Sequence, residues 1–311
     1  MSVFLMKIIN NVDLSKYSNW KIGGVADCLI EVESVEDYVK AVRYSRSLKI
    51  KPIVIGNTTN LLFDNGKLEI ALIKLSDRFN SVERENNTFT VGANMYCPRL
   101  ARIAQTNGLS GIEHIVGIPA TLGGLICMNG GSKRKTISDS VIGVRSIDSD
   151  GNVIYRENEE CKFAYRKSVF QQVDELILAV DLKLDENTFG PSEIRQHCLE
   201  ILRERRKKFP RKQPSCGSVF VSNPEMYNKI GPPGKIIEEL GLKGKVVGGA
   251  KISEKHANFI INNSSAKASD VLSLVHTINK NVYEKHSIKL ESEGLFVSKK
   301  GCLMSLDCTV K

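Results

Sequence analysis

The segment Gly117-Ile-Pro-Ala-Thr-Leu-Gly-Gly124 is the stretch of this sequence that says most about the fold. Three glycines, an alanine and a proline make it too rich in small residues for an ordinary core helix or strand. One interpretation is a tight turn. The other is backbone that packs closely against a flat ligand, because glycine places no side chain in the way.

The first third of the chain alternates between strand and helix patterns. A strand is predicted at 27–33 and a helix at 34–48, where apolar residues recur at helical spacing. A short apolar strand at 51–55 runs into the polar loop Gly56-Asn-Thr-Thr-Asn60, and another strand follows at 70–75. The pattern predicts a small βαβ unit whose loop offers backbone N–H groups to a phosphate.

Residues 77–186 carry mainly short strand patterns. Asn86-Asn87 predicts a hairpin between Val82 and Val91, and Asp150-Gly151 predicts one between strands at 141–147 and 153–155. A helix is predicted at 98–107, ending at Gly108.

The remainder of the chain predicts a separate α+β domain. A basic helix is expected at 192–208, strands at 219–222 and 257–262, and a helix at 235–240. A last helix at 268–285 is predicted to bury one apolar face, formed by Val271, Leu274, Val275, Ile278 and Val282.

The charge of the chain points to an anionic partner. There are 44 Lys and Arg against 35 Asp and Glu, a net charge of +9, and residues 191–260 hold 14 of the basic residues against 7 acidic ones. The densest run, at 203–212, suits nucleic acid, a membrane surface or a phosphorylated small molecule, or is a solvated helix face. Aromatic residues make up only 6% of the chain, and Trp20 is the single tryptophan. Few side chains are therefore available to stack on nucleic acid bases.

The cysteines and the hydrophobic pattern predict a cytoplasmic protein. The eight cysteines are scattered without a CxxC spacing, which argues against a disulfide framework or a zinc site. The apolar stretch at residues 1–7 is too short for a signal peptide, and no stretch approaches about twenty apolar residues. No membrane partner and no metal are expected.

Several residues could carry chemistry, and taken singly they leave the function open. Ser218 follows a glycine but lacks the frame of a hydrolase nucleophile, and Cys216 with His256 would form a thiol–imidazole pair. Arg166 offers a permanent cation and Glu293 a carboxylate. A serine or cysteine next to a glycine is usually just a turn residue, and none of these residues decides a function alone.

Taken together, six segments in order resemble the bacterial UDP-N-acetylenolpyruvoylglucosamine reductase family, in its short form without an inserted substrate-covering loop. The resemblance runs from about Trp20 to Val297, and residues beyond Gly301 extend past it. The segments are Lys21-Ile-Gly-Gly24, Gly117-Ile-Pro-Ala-Thr-Leu-Gly-Gly124, Tyr165-Arg-Lys-Ser168, Pro214-Ser-Cys-Gly-Ser-Val-Phe220, Gly234-Lys-Ile-Ile-Glu-Glu-Leu-Gly-Leu-Lys-Gly244 and Ser253-Glu-Lys-His-Ala-Asn-Phe-Ile260.

The resemblance implies an α+β fold: a vanillyl-alcohol-oxidase-like FAD-binding fold of two subdomains, at 1–76 and 77–188, and a C-terminal α+β substrate domain at 189–311. It implies an NADPH-dependent flavin oxidoreductase that reduces the enolpyruvyl C=C bond of a UDP-sugar, giving UDP-N-acetylmuramate for peptidoglycan synthesis. A monomer that binds no nucleic acid is expected.

The resemblance also implies roles for individual residues. The catalytic residues are the cation Arg166, the proton donor Ser218 and the enol-stabilising Glu293. The substrate-binding residues are Tyr165, Arg205, Lys235, His256 and Asn258. FAD is expected to contact Ile55, Gly56, Asn57, Thr58, Thr59, Asn60, Leu61, Gly117, Ile118, Pro119, Ala120, Gly123, Gly124, Asn129 and Ile177.

The sequence departs from the family pattern in its binding loops. Thr58 stands where the flavin loop usually has its second glycine, and Ala120 where a glycine usually follows Pro119. Residues 129–134 lack the usual tyrosine. Val221 and Ser222 stand where a lysine is expected, and Leu295 where an arginine is expected. Two alternatives follow: a paralogue that reduces another anionic substrate, and a nucleotide- or polyanion-binding descendant that has lost FAD.

Overall fold

The computed structural model describes residues 6–222 and 224–308. The expectation for residues 1–7 therefore lies largely outside the described residues. The strands are β1 Lys7–Asp13, β2 Val25–Val32, β3 Lys51–Ile55, β4 Leu61–Phe63, β5 Lys67–Leu75, β6 Val82–Glu85, β7 Thr88–Gly92, β8 Gly131–Ser132, β9 Lys135–Thr136, β10 Val141–Asp148, β11 Val153–Glu157, β12 Glu175–Lys183, β13 Val246–Val247, β14 Ala250–Ile252, β15 Ile260–Asn262, β16 Leu295–Val297 and β17 Leu303–Ser305.

Eight α-helices are found in the described residues, together with short 3₁₀ turns. The helices are α1 Leu14–Tyr17, α2 Val35–Ser47, α3 Cys97–Thr106, α4 Leu122–Cys127, α5 Pro191–Lys208, α6 Pro224–Lys229, α7 Pro233–Glu239 and α8 Ala268–His286. The predicted helices at 34–48, 98–107, 192–208, 235–240 and 268–285 are confirmed within two residues at each end.

The chain divides into two compact units. The first comprises residues 1–8, 29–57 and 72–207, and the second comprises 9–28, 58–71 and 208–311. Strands β1, β2 and β5 contribute residues to both units, in a four-stranded sheet of order β1-β2-β5-β3. The division into three domains at residues 76 and 188 stays a prediction.

The first unit is built around a five-stranded antiparallel sheet of order β11-β10-β12-β7-β6. Both predicted hairpins are confirmed: β6 pairs with β7 across Asn86-Asn87, and β10 pairs with β11 across Asp150-Gly151. Asn86 and Gly151 both have positive φ, as tight hairpin turns require.

The second unit packs α8 over a small antiparallel sheet of order β13-β14-β15. The predicted apolar face of α8 is confirmed, since its five residues are at most 1% exposed. They join a core that includes Trp20, whose indole Nε1 donates a hydrogen bond to Ile260 O at 2.9 Å. A second sheet, of order β17-β16-β4, pairs β16 in parallel with β4.

Two strand predictions need correction. The strand predicted at 219–222 is wrong, because only an isolated bridge joins Phe220 to Ser292. Gly217, with a φ of +88°, precedes this bridge and α6 begins at Pro224, so the extended segment is too short for a ladder. The strand predicted at 257–262 is shortened to Ile260–Asn262, because His256–Phe259 forms a turn.

Candidate active site

Two small-residue loops of the first unit are in direct contact. A Cβ on Gly56, which follows β3, would overlap the hydroxyl of Thr121. The amide of Asn57 donates a hydrogen bond to Pro119 O at 3.2 Å, and Thr121 caps α4 through Gly124 N. The tight-turn interpretation of residues 117–124 therefore misses α4, which begins at Leu122. The two loops form one surface with few side chains.

Helix α5 borders this surface through Arg205. A Cβ on Gly117 would overlap Arg205 Cδ and Nε, so glycine allows the guanidinium stem to cross the loop backbone. The neighbouring residue Glu204, the acidic member of the run at 203–212, forms an ion pair with Lys133. Lys133 lies outside the run, so this ion pair neutralises none of the run's own basic residues.

Thr58 adopts the conformation that a glycine would normally supply. Its φ is +52°, in the left-handed region that β-branched residues rarely enter. Its side chain is 5% exposed, and its hydroxyl donates to Tyr17 O at 2.8 Å and accepts from Asn19 N at 3.1 Å. The loop thus keeps a glycine-like backbone, and the added side chain is hydrogen-bonded to the chain's own backbone.

The same loop is hydrogen-bonded to the segment that carries Glu293. The amide of Asn60 donates to Glu293 O at 2.9 Å, and Leu295 N donates to Asn60 O at 2.9 Å. Leu61 begins β4, which pairs with β16. Asn60, predicted to contact FAD, therefore also positions the backbone of Glu293.

The backbone segments that carry Ser218 and Glu293 are paired with each other. Glu293 N donates to Val219 O at 2.7 Å, and Phe220 is paired with Ser292. Ser218 and Glu293 are both partly exposed. A hydroxyl and a carboxylate that are far apart in sequence therefore lie on neighbouring extended segments.

Asn258 supports the other side of the Ser218 segment. Its amide accepts from Phe220 N and donates to Phe220 O, both at 2.9 Å, and Val219 N donates to Asn258 O. At 3% exposure, the side chain uses both its polar atoms on the backbone. Its predicted contact with substrate stays a prediction.

The surroundings of Cys216 and His256 oppose a thiol–imidazole pair. Burial raises the pKa of the Cys216 thiol, and the charge of Glu293 adds to this effect. Burial lowers the pKa of His256 to about 4, and the ring packs against Phe209 and Phe259. Nucleophilic cysteine chemistry needs a lowered thiol pKa, so these surroundings count against a catalytic role for Cys216.

Arg166 lies in the first unit, in a turn held by several hydrogen bonds. The turn is closed by the bridge from Ala164 to Lys167, and Arg166 has a φ of +58°. The buried amide of Asn129 donates to Ala164 O at 3.0 Å, and Gln171 donates to Arg166 O at 3.0 Å. The guanidinium lies 5.5 Å from the centre of the Tyr165 ring.

The predicted site residues fall into both units. Ile177 belongs to β12 in the first unit and lies near Gly123, and Ile55 ends β3. Lys235 is an exposed residue of α7 in the second unit, and its ammonium lies 3.6 Å from Glu239. The first unit holds Ile55, Gly56, Asn57, Gly117, Ile118, Pro119, Ala120, Gly123, Gly124, Asn129, Tyr165, Arg166, Ile177 and Arg205, and the second holds Thr58, Thr59, Asn60, Leu61, Ser218, Lys235, His256, Asn258 and Glu293.

Comparison with known proteins agrees with this arrangement along most of the chain. A family model described as FAD binding domain matches residues 26–155, and one described as UDP-N-acetylenolpyruvoylglucosamine reductase, C-terminal domain, matches residues 209–297. UDP-N-acetylenolpyruvoylglucosamine reductase 1 of Corynebacterium glutamicum is 37% identical over 96% of this chain and 88% of its own length. The chain belongs to the UDP-N-acetylenolpyruvoylglucosamine reductase family.

Other members of the reductase family match over similar lengths. The reductase of Caldanaerobacter subterraneus subsp. tengcongensis is 35% identical over 94% of this chain and 95% of its own. The crystal structure of the Thermus caldophilus reductase superposes with a TM-score of 0.77 at 32% identity, covering 94% of this chain and 98% of that one. The predicted α+β FAD-binding fold, followed by a C-terminal domain, is confirmed.

The contacting loops of this reductase-family chain suit the predicted cofactor FAD. A side chain at Gly56 would collide with Thr121 and one at Gly117 with Arg205, and Thr58 preserves the left-handed backbone. Loops with few side chains expose the backbone N–H groups that a pyrophosphate binds. The FAD prediction is confirmed by the family match, and the loop geometry is compatible with it.

The described residues also bear on metal binding, membrane crossing and disulfide formation. Across residues 6–222 and 224–308, no group of three or more His, Cys, Asp or Glu side chains is arranged to hold a metal ion. None of the helices in the part of the chain described combines the length and apolar character that a membrane crossing needs. All eight cysteines carry free thiols.

Sequence reasoning missed several residues that shape the site. Thr121 touches Gly56, and the Asn19 amide donates to Ser215 O just before the Ser218 segment. Asn19 precedes Trp20, the single tryptophan of the chain, and that neighbour was the one sequence signal that could have drawn attention to Asn19. Ser292 and Asp307 contact each other beside Glu293. No pattern in the sequence marks Asp307, since it lies beyond both family matches.

Proposed function

We propose that this protein uses FAD and NADPH to reduce the enolpyruvyl group of UDP-N-acetylglucosamine enolpyruvate, giving UDP-N-acetylmuramate. The family match over 96% of the chain supports the reaction. The observation that carries it in the structure is the pairing of the Ser218 and Glu293 segments through Glu293 N and Val219 O. An acid and a carboxylate on a shared backbone frame suit a reaction that forms and protonates a carbanion.

Each proposed catalytic residue meets one need of the reaction. FAD, which the loops at 55–61 and 117–124 would hold, would supply the hydride chemistry between NADPH and the vinyl carbon of the enolpyruvyl ether. Negative charge then develops at the neighbouring carbon and its carboxylate, where Arg166 offers a fixed positive charge. Glu293 stabilises the enol form, and Ser218 donates the proton. A serine hydroxyl is a weak acid, so it requires a strongly basic acceptor in a water-poor pocket.

The proposed binding residues form two groups, one for FAD and one for the sugar nucleotide. The loops at 55–61 and 117–124, with Asn129 and Ile177, are proposed to hold FAD. Tyr165, Arg205, Lys235, His256 and Asn258 are proposed to face the sugar nucleotide. Arg205 and Lys235 supply charge for a diphosphate or carboxylate, whereas Asn258 acts by holding Phe220.

Two lysines lie beside the position where the family pattern expects one. Val221 lines a cavity of about 160 Å³ whose other lining residues include Lys229 and Lys289. These ammonium groups support binding of an anionic substrate despite the valine. Leu295 places an apolar side chain where an arginine is expected, which favours a second candidate: a paralogue that reduces a different anionic enol ether.

A spectrum and a turnover assay test the proposal. Purified protein is expected to absorb near 450 nm with flavin bound, and to oxidise NADPH when the enolpyruvyl sugar is added. The turnover rate of Ser218→Ala is expected to be lower by a factor of about a hundred or more, because general acid catalysis typically contributes that much. Its flavin should still be reduced by NADPH.

Ser222→Ala, in the same segment but beyond the paired residues, is the matched control and should keep full turnover. Failure of the purified protein to bind added FAD would contradict the proposal. A yellow protein that NADPH reduces but the sugar does not reoxidise would instead favour the paralogue.

The setting of the reaction is proposed to be a cytoplasmic monomer in peptidoglycan precursor synthesis, with no nucleic acid partner. The scattered free cysteines suit a reducing compartment. Binding of polyanions that weakens steeply with salt would contradict the absence of a nucleic acid partner and would support the descendant that lacks FAD. Sedimentation at several protein concentrations tests the monomer.

A further inference from the structure

The chain beyond both family matches is fastened to the residue that precedes Glu293. Asp307 accepts a hydrogen bond from Ser292 N at 3.0 Å and another from the Ser305 hydroxyl. In return, Leu306 N donates to the Ser292 hydroxyl at 2.9 Å. The carboxylate side chain of Asp307 is only 8% exposed. Ser292 is therefore held through both its backbone and its side chain.

The residue after Glu293 is held by the same segment. Leu306 is fully buried, and a Cβ on Gly294 would lie only 2.9 Å from its Cδ1. The Ser292 hydroxyl is also 3.2 Å from Gly294 O. Glu293 thus lies between two residues whose positions are set by residues 305–307.

This fixation extends to Ser218 through the backbone. Glu293 N donates to Val219 O, and Val221 N donates to Glu291 O at 2.9 Å. A shift of Ser292 would displace the carboxylate of Glu293 relative to the hydroxyl of Ser218. Misplacement by about 1 Å is enough to slow catalysis on the order of a hundredfold.

The charge of Asp307 is stabilised where it lies. Burial by itself would raise the pKa of Asp307, but hydrogen bonds from Ser305 and Ser292 outweigh it, so the pKa lies below its usual range. The ammonium of Lys289 is 3.6 Å away. An ionised carboxylate accepts backbone N–H bonds more strongly than a neutral acceptor does.

We propose that Asp307 is a positioning residue that, with Ser305 and Leu306, holds Glu293 in register with Ser218 for reduction of the enolpyruvyl group. The inference rests on the proposed function for its catalytic consequence. Asp307 touches neither Ser218 nor the reacting atoms, so its effect is confined to the step in which Glu293 and Ser218 act.

The two half-reactions of the FAD-loaded enzyme separate this role from a general loss of structure. In Asp307→Ala, FAD content and flavin reduction by NADPH are expected to stay within twofold of wild type. Flavin reoxidation at saturating enolpyruvyl sugar is expected to fall ten- to a hundredfold, so kcat falls more than KM changes. Asp307→Asn keeps an acceptor for Ser292 N and should recover most of the rate.

Met304→Ala is the matched control, because Met304 lies on β17, three residues before Asp307, with a partly exposed side chain. It should behave as wild type. If Asp307→Ala does not fold, Ser292→Ala removes the hydroxyl contacts to Leu306 and Ser305 and should show the same selective loss. Reoxidation at the wild-type rate in these variants would overturn the proposal.

Hydrogen exchange supplies a readout that needs no turnover. The Glu293 amide should exchange at least tenfold faster in Asp307→Ala than in wild type, while amides of α8 stay protected. Unchanged exchange at Glu293 would overturn the inference by itself. Wild-type protein that fails to reduce the sugar, with exchange at Glu293 accelerated in the variant, would instead identify the proposed function as the part that failed.

Discussion

At the scale of single residues, Thr58 is held in a backbone conformation that glycine adopts more easily. The hydrogen bonds to Tyr17 O and from Asn19 N stabilise this conformation. Thr58→Val keeps the shape and the branching but leaves both backbone groups without the hydroxyl. We expect it to lower the free energy of unfolding by about 2 kcal/mol, measured by urea denaturation.

Thr58→Ser is the matched variant, because it keeps the hydroxyl and removes the branching that disfavours positive φ. It should lie within about 0.5 kcal/mol of wild type and retain FAD. If Thr58→Val and Thr58→Ser lost equal amounts of unfolding free energy, the hydroxyl contacts would not be what holds the loop.

At the scale of elements, a side chain takes the place of a strand beside residues 218–221. Asn258 satisfies both polar groups of Phe220, as a neighbouring backbone would in a sheet. Asn258→Ala leaves a buried N–H and C=O without partners. We expect a loss of about 2–4 kcal/mol in the free energy of unfolding, because each unsatisfied buried group costs about 1–3 kcal/mol.

Asn263→Ala serves as the control, since Asn263 is exposed on the same chain segment. It should change stability by no more than about 0.5 kcal/mol. If Asn258→Ala instead left stability intact and weakened only substrate binding, a direct ligand role would replace the structural one.

At the scale of the whole molecule, stability should depend on pH through His114. This imidazole is 2% exposed, and neither ring nitrogen has a hydrogen-bond partner within the residues that the structure covers. Burial lowers its pKa to about 4, with repulsion from Lys135 adding to the effect. The unfolded chain binds the proton at a pKa of about 6.5.

The unfolded state therefore takes up protons first as the pH falls below 6.5, and stability is lost progressively down to pH 4. From pH 7.5 to 5.5, His114 should account for about 1 kcal/mol of the loss. Urea denaturation at several pH values across this range measures the slope of the free energy of unfolding against pH. His114→Leu should reduce the slope by about half and leave the part due to His256, whose pKa burial also lowers to about 4. His276→Gln, at an exposed position of α8, should leave the slope unchanged. An identical slope in His114→Leu would contradict the assignment.

The elements that the sequence predicts well are those whose cause is local. The period of Val271, Leu274 and Val275 determines α8, and Asn86-Asn87 determines a hairpin, because both depend on residues a few positions apart. The glycine-rich loops and the order of the six segments were also sufficient for the family and its cofactor. The departures at Thr58 and Val221 were visible, but their consequences were not.

Only the tertiary structure shows how distant segments complete the site. Ser218 meets the Glu293 segment through a single backbone bridge, which is too short to appear as a strand pattern. Thr58 finds its partners in Tyr17 and Asn19, and Asp307 finds Ser292, through contacts that no local periodicity encodes. The sequence is enough to identify the family and its cofactor, because the motifs that mark them are local. Their relative placement depends on long-range hydrogen bonds, which exist only once the chain has folded.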